Sequence, residues 1–239
     1  MSMQIRIKSL WILFMMMLFI TTSTYAMSKA KIQAKLNHVN GKAAECVMHK
    51  FYTNSGWIQI EGEVGRNGID GLYYKRKHGR IQEVLVAESK WNTGRLGKSG
   101  KNKAIKQMSQ TWVLRSLNRL VKYKPLPEYD TIKKFIEHNQ YRARLFNLKP
   151  VGEDSIQIHL YKIKNKGQDS FEKIKERSLK VIKLAKLGNG FEEGVVDAYN
   201  DCRREALKSY FPTLRKKIIG KLLEDNYLKR KDLEKYLNR

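Results

Sequence analysis

The chain has 239 residues, with 48 Lys+Arg against 23 Asp+Glu and a formal net charge of +25. Hydrophobic residues make up 41% and charged residues 30%, enough apolar material for a packed core and too much for wholesale disorder. Two cysteines exclude a disulfide-dense scaffold and any four-Cys zinc site.

The N-terminus is read first because it changes what folds. Arg6 and Lys8 precede an apolar run from Leu10 to Ile20, followed by the small, polar stretch Thr21–Ala26. A charged start, a short apolar run and small residues before a cut predict an export signal, residues 1–26, cleaved after Ala26. Eleven helical residues rise only about 16 Å, roughly half of a bilayer's apolar core, so an anchor is a poor reading. Removing 26 of 239 residues, with Arg6 and Lys8, leaves 213 and takes the charge from +25 to +23. The expected location is periplasmic or secreted, with no stable membrane insertion after cleavage. Cys46 and Cys202 would then meet an oxidising compartment. A bridge between them and two separately buried thiols both remain open at this stage.

Along the mature chain, Ile32, Leu36, Val39, Ala43, Val47 and Phe51 recur at spacings of three and four and predict a helix over 30–55. Ser55-Gly56 ends it, and alternation then predicts a strand at Trp57–Val64. Gly65–Gly68 is a turn by composition. Two further strands, Ile69–Lys75 and Glu83–Trp91, flank a turn at Lys77–Arg80. Val84–Ala87 is apolar on both faces, which predicts a central strand. A basic loop, Thr93–Lys103, leads to a helix over Lys103–Val121. Pro125 and Pro127 end that helix. A short helix at Thr131–His138 precedes a hairpin of Arg142–Lys149 and Ser155–Ile163. Helices are then expected at Phe171–Leu187, Glu192–Tyr210 and Pro212–Glu224, with a break at Gly188–Gly190 and a charged tail. This order predicts an α+β fold with an α/β-like core and a mixed sheet. The core is expected over 27–165 and a basic helical region over 166–239.

Asp70, Glu88 and Lys90 stand apart. Asp70 follows a Gly-rich turn, and Glu88 and Lys90, two apart on the next strand, share one face with Val84 and Val86. Pairing the two strands brings Asp70 near Glu88. Two close carboxylates repel unless a cation lies between them, and hard oxygen donors suit Mg²⁺ or Mn²⁺. A neighbouring lysine can position a water and offset negative charge on phosphate.

Asp70, then Glu88-Ser89-Lys90 after 17 intervening residues, resembles the PD-(D/E)XK motif of the restriction-endonuclease-like nucleases, with Ile69 in place of the proline. The stretch GRNGIDGLYYK, EVLVAESKW, KQMSQTW is similar to nuclease domains of bacterial contact-dependent inhibition toxins. The resemblance covers roughly residues 40–165. It implies a restriction-endonuclease-like mixed sheet flanked by helices, with Asp70, Glu88 and the Ser89 backbone carbonyl as metal ligands. Lys90 would position the water, Glu45 or Glu63 would assist, and Gln107 with Trp112 partly echoes the family's Gln-containing helix motif.

No HExxH, Gly-x-Ser-x-Gly, P-loop or Rossmann pattern is present. The excess charge predicts a polyanionic partner held by phosphate contacts, through the basic loop and the C-terminal cations. The expectation is a metal-dependent nuclease of low sequence specificity, acting on DNA ahead of RNA. An RNase or tRNase toxin and a non-catalytic exported nucleic-acid-binding protein are the alternatives. A dedicated inhibitor protein follows only if export serves antagonism.

Overall fold

A computed structural model describes residues 27–60, 68–152, 155–169, 171–183, 191–224 and 229–237. The export signal, Glu63 and the break at Gly188–Gly190 lie outside the described residues. The fold is mixed α+β. Helix α1 (Lys29–Asn54) is followed by β1 (Ile58–Gln59), β2 (Gly71–Lys77) and β3 (Arg80–Trp91). A small hairpin, β4 (Lys98–Ser99) and β5 (Ile105–Lys106), leads to α2 (Gln110–Tyr123) and α3 (Tyr129–Glu137). Then come β6 (Arg142–Val151), β7 (Ser155–Lys164), β8 (Glu172–Lys183), α4 (Phe191–Tyr210), α5 (Lys216–Glu224) and α6 (Arg230–Leu237).

The main sheet has six strands in the order β1-β2-β3-β6-β7-β8. Every neighbouring pair is antiparallel except β3 and β6, which run parallel with Glu88 opposite Leu145. That parallel pair sits mid-sheet, and Val84–Ala87 is accordingly buried on both faces. Helices α1 and α4 cover one face, burying Val47, Phe51, Leu85, Phe146, Leu148 and Ile158 among others. Helices α2 and α3 cover part of the other, over Val84, Val86, Ala143 and Leu145. Each buried Val, Leu, Ile or Phe side chain contributes about 1.5–3 kcal/mol relative to exposure. A third cluster joins the start of α1 to α4, α5 and α6 through Ile32, Leu36, Leu207, Leu222 and Leu233.

Local chemistry accounts for the element ends. Ser28 caps α1 by accepting from the Lys31 N–H at 3.4 Å, and Gly56 leaves it at φ +78°. The β2–β3 turn puts His78 and Gly79 at φ 50° and 75°, a two-residue turn whose twist suits the hairpin.

Several expectations need correction. The helix expected at Phe171–Leu187 is replaced over its described part: Glu172–Lys183 is strand β8, paired with β7, and residues 184–187 lie outside the described residues. Two irregularities, between Gln157/His159 and Leu160/Tyr161, fit twelve residues of β8 against ten of β7. Each inserts one residue and shifts the inside–outside alternation, so the apolar positions mimic a helical period. The boundary drawn at 165 therefore falls between two paired strands. Helix α2 begins at Gln110 rather than Lys103, because Ser109 caps it by accepting from the Trp112 N–H at 3.3 Å. Helix α5 starts at Lys216 rather than Pro212, and the charged tail forms α6. Cys46 and Cys202 form a disulfide joining α1 to α4, with their Cα atoms 6.2 Å apart.

Candidate active site

The candidate site lies where β3 leaves the core. Val84 and Val86 pack under α2 and α3, and the same face continues as Glu88 and Lys90. Asp70 immediately precedes β2, whose first residue, Gly71, pairs with Ala87. That register brings Asp70 beside the end of β3, where its Oδ2 accepts from the backbone N–H of Ser89 at 2.9 Å. Gly71 leaves room for the buried Tyr73 ring. A Cβ there would meet the Tyr73 ring at 2.5 Å. Tyr73 in turn fixes β2 to α1, its hydroxyl lying 2.7 Å from His49 Nδ1.

Glu88 is the most constrained carboxylate of the site, 1% exposed. Its Oε1 lies 2.6 Å from Lys90 Nζ and also accepts from Gln107 Nε2. Its Oε2 is buried without a hydrogen-bond partner. Burial first, then the charge of Asp70, pushes the Glu88 pKa well above the usual carboxylate range, and Lys90 opposes them only in part.

Around this pair opens a cleft of about 580 Å³, lined by Asp70, Glu88, Ser89 and Lys90 on the strands and Glu45 on α1. Arg95, Lys98 and Gln107 complete it from the β4–β5 side. Glu45 pairs with Lys42 at 2.7 Å while lining the cleft wall. Gln107 lies before α2 rather than on it, and ties the basic loop to the site. Its side-chain oxygen accepts from the Gly97 N–H at 2.9 Å, and its own N–H donates to the Gly97 carbonyl at 2.9 Å. The next residue, Met108, is held at φ 76°, a conformation costing a side-chain-bearing residue about 1–2 kcal/mol. The basic loop is thus a pinned hairpin rather than a free strap.

Asn147 was not singled out in the sequence. It is buried on β6 and donates from Nδ2 to the carbonyls of Lys90 and Asn92, both at 3.0 Å. This fixes the strand end that carries Lys90. Its one signal is a lone amide within the apolar run Leu145–Leu148.

The donor set suits a hard cation. Glu88 Oε2 has no partner, Asp70 is adjacent, and Mg²⁺ commonly takes only one or two carboxylates, with water and phosphate completing its shell. Among the described residues, no group of three His, Cys, Asp or Glu side chains is placed to hold a metal. Comparison with protein-family models, curated proteins and solved structures finds no match for the chain.

Proposed function

We propose that this chain is an exported, metal-dependent nuclease that hydrolyses phosphodiester bonds with little sequence specificity, DNA ahead of RNA. One observation carries the reading: the buried Glu88, its Oε2 unpartnered, beside Asp70 at the floor of a cleft that also holds Lys90, Arg95 and Lys98. Asp70 and Glu88 would hold Mg²⁺ or Mn²⁺. Bound there, the ion would supply Lewis-acid polarisation of a phosphate oxygen. Lys90, within hydrogen-bond reach of Glu88, positions an attacking water and offsets charge developing on the phosphate. Gln107 orients Glu88, and Arg95 and Lys98 hold the flanking phosphates. The Cys46–Cys202 bridge supports an oxidising compartment and hence export. Among the described residues, no helix is long and apolar enough to cross a membrane.

A second reading is favoured by the contacts Glu88 already makes. Lys90 and Gln107 close on Oε1 as a structural network would, with no third acidic ligand among the described residues. That reading makes the protein a non-catalytic nucleic-acid binder.

The deciding experiment compares purified protein with Asp70→Ala and Glu88→Ala on plasmid DNA and total RNA, in Mg²⁺, Mn²⁺ or EDTA. Metal-dependent cleavage that drops at least about a thousandfold in both variants supports the nuclease. The substrate consumed decides DNA against RNA. Folded wild type that binds nucleic acid but cuts neither overturns it in favour of the binder.

A further inference from the structure

The face of the sheet that α2 and α3 cover over β3 is left open over β7 and β8. By register, Lys149 on β6, Gln157, His159 and Tyr161 on β7, and Lys173, Lys175 and Ser178 on β8 all belong to it. Lys173, Lys175 and Ser178 are exposed, and Lys149, Gln157 and Tyr161 are half-buried, so among the described residues no helix closes this area. Lys173 lies 4.3 Å over the Tyr161 ring, and His159 Nδ1 lies 2.8 Å from the Ser178 hydroxyl.

Among the described residues, these cations lack carboxylate partners. On the opposite face Arg142 pairs with Glu83, and Arg144 pairs with Glu176 at 2.8 Å. On the open face, Lys149, Lys173 and Lys175 form no ion pair among the described residues, and neither do Lys106 and Arg95. They are close enough to act on one another. Burial and then Lys149, Lys106 and Arg95 lower the Lys173 pKa, and burial, Lys175 and Lys149 lower that of His159. Geometry links this face to the cleft: Lys106 donates to the Phe171 carbonyl at 3.1 Å, next to β8, and pairs across β4–β5 with Lys98, which lines the cleft with Arg95.

We propose that the open face of β6, β7 and β8, through Lys149, Lys173 and Lys175, is the track on which a nucleic-acid backbone lies as it enters the cleft past Arg95. Unpaired cations held together at a cost in mutual repulsion fit a polyanion, whose phosphates release their counterions on binding. An anionic membrane fits less well, because interfacial binding needs a wide apolar face, and the exposed large apolar side chains here are two valines at one end, Val151 and Val181. The proposal rests on the nuclease reading for what happens in the cleft, but the binding is tested apart from cleavage.

The test measures binding of a labelled 30-nucleotide single strand, a 30-base-pair duplex and phosphatidylserine vesicles, in EDTA, across a salt series. Wild type is compared with K149Q/K173Q/K175Q, with K149R/K173R/K175R, and with a control removing the same charge from exposed α5, K216Q/K217Q/K221Q. Each lost contact removes about 0.7 counterions on a single strand. The first variant should therefore lower the log–log salt slope by about 2 and weaken binding about 50-fold at 0.15 M salt. The Arg variant should keep the wild-type slope, and the α5 control should lose less than half as much. An unchanged slope in the folded Gln variant overturns the proposal. So does an equal loss in the α5 control, which would make total charge the cause. Loss confined to phosphatidylserine vesicles overturns it in favour of a membrane. If the expected pattern appears in a protein that cuts nothing, the track stands and the nuclease reading falls. Cleavage with an unchanged slope gives the reverse.

Discussion

On the face packed by α1 and α4, the sheet is closed: Arg142 and Arg144 are matched by Glu83 and Glu176, and a disulfide staples the two helices. On the other face the helices cover only β2, β3 and part of β6, and beyond them lie unpaired lysines and a cleft with a buried, half-partnered glutamate. The same strands supply both faces, so sequence-local propensity does not cause the difference. It lies in what each face still needs. Where arginines meet carboxylates the surface is finished on folding, whereas a row of lysines without carboxylate partners, beside a buried carboxyl with one bare oxygen, awaits a ligand.

The sharpest way to test this contrast is to open the closed face. Replacing both Cys46 and Cys202 by serine should cost about 2–5 kcal/mol of stability, because the bridge constrains an unusually long loop of the unfolded chain. Urea denaturation reads the loss, and any metal-dependent cleavage should survive at temperatures where the variant stays folded. Asn147→Ala should cost about 1–3 kcal/mol by leaving the Lys90 and Asn92 carbonyls short of a donor. It should also lower activity through a displaced Lys90, an effect that the disulfide variant lacks.

A third prediction concerns sign. Glu88 has its folded pKa raised, so across the window above its ordinary value of 4.5 the folded protein holds a proton that the unfolded chain has released. Stability of the metal-free protein should therefore fall as pH rises through that window. Glu88→Gln should remove this slope and be the more stable form at neutral pH, as thermal melts in EDTA would show. Added Mg²⁺ should stabilise wild type and leave the Gln variant unmoved. The smallest effect is expected back on the closed face, where Glu176 is 40% exposed. Glu176→Gln should cost less than about 1 kcal/mol, measured by denaturation at low and high salt.

Much of this architecture is readable from the chain. The run Val84–Ala87 marks a central strand because both its faces are apolar, and pairing that strand with the one after Asp70 brings the two carboxylates together. Strand β8 was hidden, since two inserted residues disrupt the period of two that marks a strand. The place of Gln107 was hidden as well. Ser109 is the true helix cap, yet Lys103–Met108 carries enough apolar residues to extend the helical pattern backwards. Asn147 acts through main-chain carbonyls of another strand, a contact only the β3–β6 pairing creates. The cysteines could be counted but not paired, because their approach depends on how α4 packs across α1.

That bridge also changes what a protease can do. Cys46 and Cys202 are 156 positions apart, and every strand of the sheet, with α2 and α3, lies on the segment between them. The sheet is thus enclosed in one covalent ring. A single cut anywhere from residue 47 to 201 opens the ring without dividing the molecule, and both pieces stay tethered at the α1–α4 junction. Wherever reductants are scarce, a nicked molecule would keep its two halves joined. On a gel it would separate into fragments only after the thiols were reduced.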